Sequence, residues 1–134
     1  MQASVKWVEG LTFLGGSSSG HQIVMDGNAG DKAPSPIEML LMAAGGCSAA
    51  EVVAILQKGR FTVDNCEVKL TSTRREKPPR LFTRINLHFI VSGSGLTDKA
   101  LARAVSLAVG KYCPVALMLG KGVTLTHSHE MGVT

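Results

Sequence analysis

The chain has 134 residues, of which 45% are hydrophobic and 18% charged, with a formal net charge of +4 and three cysteines. That is the length of one domain, and the apolar content is enough for a core of its own. An odd cysteine count without CxxC or zinc-type spacing argues against both a disulfide framework and a zinc module. The first ten residues hold no apolar leader, and the longest uncharged stretch around Cys47, Met39 to Ala50, is too short for a bilayer. A single cytoplasmic domain over 1–134, with no membrane segment, is therefore expected.

In chain order, Ala3, Val5 and Trp7 alternate with polar residues as in a strand. Phe13-Leu14 and Gln22–Met25 flank a Gly/Ser run, Gly15–Gly20, which reads as a loop. The run lacks the Lys-Ser/Thr ending of a phosphate loop and precedes a strand. Ser35-Pro36-Ile37-Glu38 then announces a helix, with Ser35 as N-cap, Pro36 at the first helical position and Glu38 completing a capping box. The helix is predicted to run to about Lys58, with Gly59 closing it. Its only charges are Glu38, Glu51 and Lys58. A helix apolar on nearly every side must be covered on nearly every side, so a second subunit is expected against it. Gly45 and Gly46 each cost about 1 kcal/mol relative to alanine in a helix, which points to close packing or ligand access there.

Two strands follow. Residues 62–73 put Cys66, Val68 and Leu70 on one face, and residues 81–91 do the same for Leu81, Thr83, Ile85, Leu87 and Phe89. They are joined by the basic loop Arg74–Arg80, which lacks flanking aromatics and reads as a solvated hairpin tip rather than a nucleic-acid surface. Thr97-Asp98 opens a second helix with Leu101, Val105 and Ala108 or Val109 as its apolar stripe. Pro114 kinks or restarts it, Val115 to Leu119 continue it, and Val123 to His127 form a last strand. Strands, a helix, a strand pair, a helix and a strand make an α+β class with segregated elements.

The chemistry centres on cysteine. Cys66, on an apolar strand face, behaves as a small hydrophobe. Cys47 lies about three turns inside the first helix, where the helix dipole has faded and apolar surroundings raise a thiol pKa. Cys113 precedes Pro114 and fits the N-cap of a restarted helix, whose free N–H groups favour a thiolate. His127 and His129 share a strand face if the last strand reaches them, but they read as a polar tail, not a metal site. His88 points away from Leu87 and Phe89 and is expected to be exposed.

Ser35-Pro36, then Glu38-Met-Leu-Leu-Met-Ala-Ala-Gly-Gly-Cys47, paired with Tyr112-Cys113-Pro114-Val115, resembles the OsmC/Ohr family over essentially the whole chain. The resemblance implies an OsmC-like fold: antiparallel sheets packed around two long central helices in an intertwined homodimer. It also implies that Cys47 attacks a hydroperoxide and that Cys113 resolves the product, with no cofactor and an external dithiol as reductant. Met39, Leu40, Met42 and Met118 would favour an organic peroxide.

The chain departs from the family pattern in one respect. The family's peroxidases hold the first cysteine as thiolate with an arginine from the N-terminal strands, oriented by a glutamate directly after the helix-opening proline. Here no arginine precedes Arg60, and the glutamate comes one position late, as Glu38. His21, Arg60 and Arg84 are the candidate replacements. The alternative to a peroxidase is a non-catalytic dimer binding a small apolar or thiol-reactive ligand.

Overall fold

The structure, a computed structural model, describes residues 1–133. The chain divides into two compact units, Met1–Met42 and the remainder from Ala43 on.

The first unit is a three-stranded antiparallel sheet, β1 (Ala3–Glu9), β2 (Thr12–Ser17) and β3 (Gln22–Asp26), in the order β1-β2-β3. Gly10 and Gly20 take φ of +53° and +92° at the two hairpin turns, a region that L side chains disfavour. Beyond β3 the buried Asp26 organises the chain. Its carboxylate accepts N–H groups from Asn28 at 2.7 Å and Lys32 at 2.9 Å. Those two bonds hold its pKa below the ordinary carboxylate value. The expected capping box is present: Ser35 N–H donates to Glu38 Oε1 at 3.0 Å, and Glu38 N–H donates to Ser35 Oγ at 3.2 Å. Gly30, with φ +75°, lies so close to Glu38 Oε1 that a β-carbon there would collide with it.

Helix α1 (Pro36–Lys58, 23 residues) is long and apolar enough by composition to cross a membrane. One stripe of it is buried, formed by Ala44, Gly45, Ser48, Val52 and Leu56. The two glycines have separate roles. At Gly45 a β-carbon would stand 2.7 Å from Leu70 Cδ1 of the neighbouring strand, whereas nothing lies within 4 Å at Gly46. Gly45 therefore permits close packing, and Gly46 faces open space on the helix side that also carries the exposed Met42 and Ala50. The C-terminus differs from expectation. Gly59 does not take the left-handed position; Arg60 does, at φ +66°. Arg60 N–H bonds to Gln57 O at 3.0 Å and Phe61 N–H to Leu56 O at 3.0 Å, which is a Schellman motif with Arg60 at C′.

The second unit carries β4 (Asn65–Arg74), β5 (Phe82–Ser92) and β6 (Thr124–Met131) in the order β4-β5-β6. The α+β class stands, with one departure from antiparallel pairing: β6 lies parallel to β5. Parallel neighbours need a crossover connection. Here α2 (Asp98–Leu107), one π-helical turn (Ala108–Tyr112) and α3 (Pro114–Leu119) supply it. Ile85, Leu87, Phe89 and Val91 of β5 are fully buried, as are Val52 of α1 and Leu101, Ala104, Val105 and Ala108. Burying each of the larger side chains contributes about 1.5–3 kcal/mol.

Two sequence expectations are corrected here. Leu81 and Thr83 do not share the core face with Ile85. Thr73 pairs with Arg84 and Arg74 with Phe82, so Thr83 is an extra residue in β5. That bulge resets the alternation, burying Phe82 and leaving Leu81 56% exposed. The last strand is also longer than Val123–His127, extending to Met131.

Candidate functional site

The two candidate thiols come from separate elements of the second unit. Cys47 lies mid-helix in α1 and is half-buried; Cys113 is fully buried at the head of α3. Local sequence explains the second position. The π turn ends where Cys113 N–H reaches back to Ala108 O at 2.8 Å. Cys113 then adopts extended backbone as N-cap of α3, with Pro114 at the first helical position. Its Sγ accepts the Ala116 N–H at 3.4 Å, which is the N-cap role expected from the Cys-Pro dipeptide. A π turn is a residue-long insertion in a helix, and such turns recur at functional sites because they re-aim the residues that follow.

The fold brings Cys47 and Cys113 together. Burial pushes the Cys47 thiol above its ordinary pKa, and the adjoining Cys113 side chain pushes it further. The Val115 N–H works in the opposite direction, and the negative charge of Glu51 adds to the rise. Val115 is the second residue of α3, so its N–H is one of the amides that a helix start leaves without a partner. Glu51 sits four residues after Cys47, one helical turn on the same side of α1. Glu51 and the free N–H groups of the Cys-Pro helix start were visible in the sequence, but their action on Cys47 was not. Immediately after Cys47, Ser48 Oγ is buried without a hydrogen-bond partner.

The candidate cations do not stand out in the chain's own geometry. Arg60 and Arg84 are exposed, and neither is among the groups that act on Cys47. His21 is exposed in the β2–β3 hairpin, where Nδ1 meets Ser19 Oγ at 3.1 Å. The Glu38 carboxylate is committed to the capping box, and that bonding lowers its pKa. Of the apolar residues singled out near Cys47, Met39 is half-buried, whereas Leu40, Met42 and Met118 are exposed.

Other constellations separate from this site. His88 is not simply exposed: Nδ1 meets Ser128 Oγ at 2.7 Å and Nε2 meets Glu130 Oε1 at 2.9 Å, tying β5 to β6. His129 Nε2 lies 3.0 Å from Asp98 Oδ1, while His127 faces solvent, so the two tail imidazoles part company. No cluster of three His, Cys, Asp or Glu able to hold a metal occurs among the described residues. In the basic hairpin, Arg74 Nε donates to Arg80 O at 2.9 Å and Arg80 Nε to Arg75 O at 3.1 Å. Arg74, Arg75, Lys77, Arg80 and Arg84 against Glu76 equal the net charge of the whole chain, +4.

The family model for OsmC-like proteins matches residues 29–128. The chain is similar to Protein YhfA of Escherichia coli strain K12, 73% identical over 131 residues and 98% of both chains. A crystal structure of a hypothetical protein from Aquifex aeolicus VF5 superimposes with TM-score 0.87 at 32% identity, covering 97% of this chain and 94% of that one. More distantly, the organic hydroperoxide resistance protein OhrB of Bacillus subtilis shares the fold with TM-score 0.62 at 18% identity, covering 97% of this chain and 98% of that one.

Proposed function

The chain belongs to the OsmC-like protein family, and from that premise we propose that it is a thiol-dependent reductase of organic hydroperoxides acting through Cys47 and Cys113. The single observation that carries this reading is the adjacency of the two thiols, brought together by α1 and the Cys113-Pro114 helix start. Organic hydroperoxide resistance proteins among the structural neighbours support it at the level of the fold.

The Cys47 thiolate attacks the distal peroxide oxygen, the O–O bond breaks, and the alkoxide leaves and takes a proton to become an alcohol. Cys47 is now a sulfenic acid. Cys113 sulfur displaces its hydroxyl as water, giving a Cys47–Cys113 disulfide. An external dithiol reduces that disulfide by exchange and is itself oxidised. The half-buried position of Cys47 gives a peroxide access, and the full burial of Cys113 reserves it for the intramolecular step.

A raised Cys47 pKa opposes the first step, because the thiolate is the nucleophile. We propose that the protein works as a homodimer and that a cation from the second copy offsets this. The exposed apolar residues Leu40 and Met42 of α1 and Val5 and Trp7 of β1 are what a partner would cover. The same raised thiol favours a second reading, a binding protein for small apolar or thiol-reactive ligands in which Cys47 stays protonated.

Peroxide chemistry is tested by treating reduced protein with one equivalent of cumene hydroperoxide and mapping the products by mass spectrometry. The expected product is a Cys47–Cys113 disulfide, with sulfenic acid trapped on Cys47 in the Cys113→Ser variant and neither in Cys47→Ser. Unmodified Cys47 at peroxide levels that spare the six methionines would leave the binding protein as the reading.

A further inference from the structure

Within the second unit, a recess of about 280 Å³ opens between the end of α1 and the start of α2. Its lining divides cleanly. Ile55, Leu56, Phe61 and Ala100 are apolar, while Lys99 and Arg103 are the charged residues on its wall. The Schellman motif builds the floor: the Phe61 N–H bond to Leu56 O folds the chain back on the helix. The Phe61 ring comes to rest over Gly59, where a β-carbon would stand 3.3 Å from two ring atoms. Glycine at 59 thus keeps both the aromatic wall and the opening.

Lys99 and Arg103 are four residues apart on α2, so they share one face of the helix, and like charges at that spacing repel. An acid usually relieves such a pair, yet neither residue has an ion-pair partner among the described residues. Asp98, the adjacent carboxylate, is turned to His129 at 3.0 Å. Asp64, on the chain beyond Phe61, is exposed and pairs with neither cation. Two uncompensated cations at the rim of a small apolar recess complement one kind of ligand, an anion with an apolar tail.

We propose that this recess binds a small amphiphilic carboxylate, its tail against Ile55, Leu56 and Phe61 and its head between Lys99 and Arg103. Volume sets the size. At roughly 30 Å³ for a water-sized group, the recess takes about eight or nine heavy atoms, the size of a six-carbon acid. The site shares no residue with the Cys47 and Cys113 pair, so it stands or falls independently of the peroxide chemistry.

Sodium hexanoate and hexan-1-ol, titrated separately into the full-length protein and followed by amide chemical shifts, test it. Hexanoate is expected to give saturable shifts confined to the 55–61 and 97–103 segments, with hexanol about tenfold weaker for want of two exposed charge contacts. The Lys99→Gln/Arg103→Gln variant should bring hexanoate down to the affinity of hexanol and leave hexanol unchanged, which shows the recess intact. Added salt should weaken hexanoate alone. Equal binding of acid and alcohol, shifts elsewhere, or no saturable shift at tens of millimolar would each overturn the proposal. So would ligand-free shifts at these residues that vary with protein concentration, since a second copy would then occupy the recess.

Discussion

The two three-stranded sheets share a strand count and little else. In β5 the alternate residues Ile85, Leu87, Phe89 and Val91 are 0% exposed, while in β1 Val5 and Trp7 remain 62% and 64% exposed. Both strands alternate apolar and polar residues, so alternation alone does not tell a strand whose apolar face is filled by its own chain from one whose face is left open. The difference lies in what the chain supplies around each sheet. Between Ser92 and Thr124 it spends α2, the π turn and α3, whose Leu101, Ala104, Val105 and Ala108 are fully buried. Residues 1–42 offer β1 no comparable cover, and the apolar side chains there are consistent with the proposed partner copy.

The contrast can be broken most sharply by truncation in each sheet. Phe89→Ala removes a fully buried ring and is expected to cost about 3–5 kcal/mol in denaturant unfolding. Trp7→Ala, which also removes the Nε1–H bond to Gly10 O at 2.8 Å, should cost far less in dilute protein and instead shift the monomer–dimer balance seen by sedimentation. Comparable losses independent of protein concentration would show that the first sheet is packed within one chain.

A smaller effect separates a single chain from the proposed dimer at the thiol. With its pKa raised by burial, Cys113 and Glu51, Cys47 in an isolated chain is mostly protonated at neutral pH. Alkylation by iodoacetamide should then accelerate about tenfold per pH unit from pH 7 upward, since the thiolate alone reacts. A dimer that brings a cation to Cys47 would flatten that profile near neutrality. Following the rate across protein concentrations, with Cys66→Ser to silence the other half-buried thiol, decides between them.

The smallest expected change is a gain. Arg60 holds a left-handed conformation at φ +66° that glycine adopts without penalty. Arg60→Gly should stabilise the second unit by roughly 0.5–1 kcal/mol, offset in part by the greater freedom of glycine in the unfolded chain. A loss of stability would mean that the Arg60 side chain makes a contact worth more than the strain.

Local signals carried most of the elements. Ser35-Pro36 and Glu38 marked the start of α1, Thr97 that of α2 and Cys113-Pro114 that of α3, because caps and prolines act within one turn of the chain. Three features were illegible for the same reason in reverse. The bulge at Thr83 and the parallel β5–β6 pairing are set between strands, and the αL position at Arg60 rather than Gly59 is set by where Phe61 closes on Leu56. Of the site, the cysteines and their neighbouring motifs were visible, whereas the influence of Val115 N–H and Glu51 on Cys47 emerged only from the packed geometry.

By itself the sequence determined the α+β class, the long capped helix and the family, all of which follow from short-range patterns and from motifs spread along the chain. Tertiary structure alone decided that Cys47 and Cys113, 66 positions apart in the chain, are neighbours. It also decided which groups, Cys113, Val115 and Glu51, act on the Cys47 thiol. Sequence context can place a cysteine on a helix, but a pKa depends on everything within a few ångströms, and those groups come from distant parts of the chain.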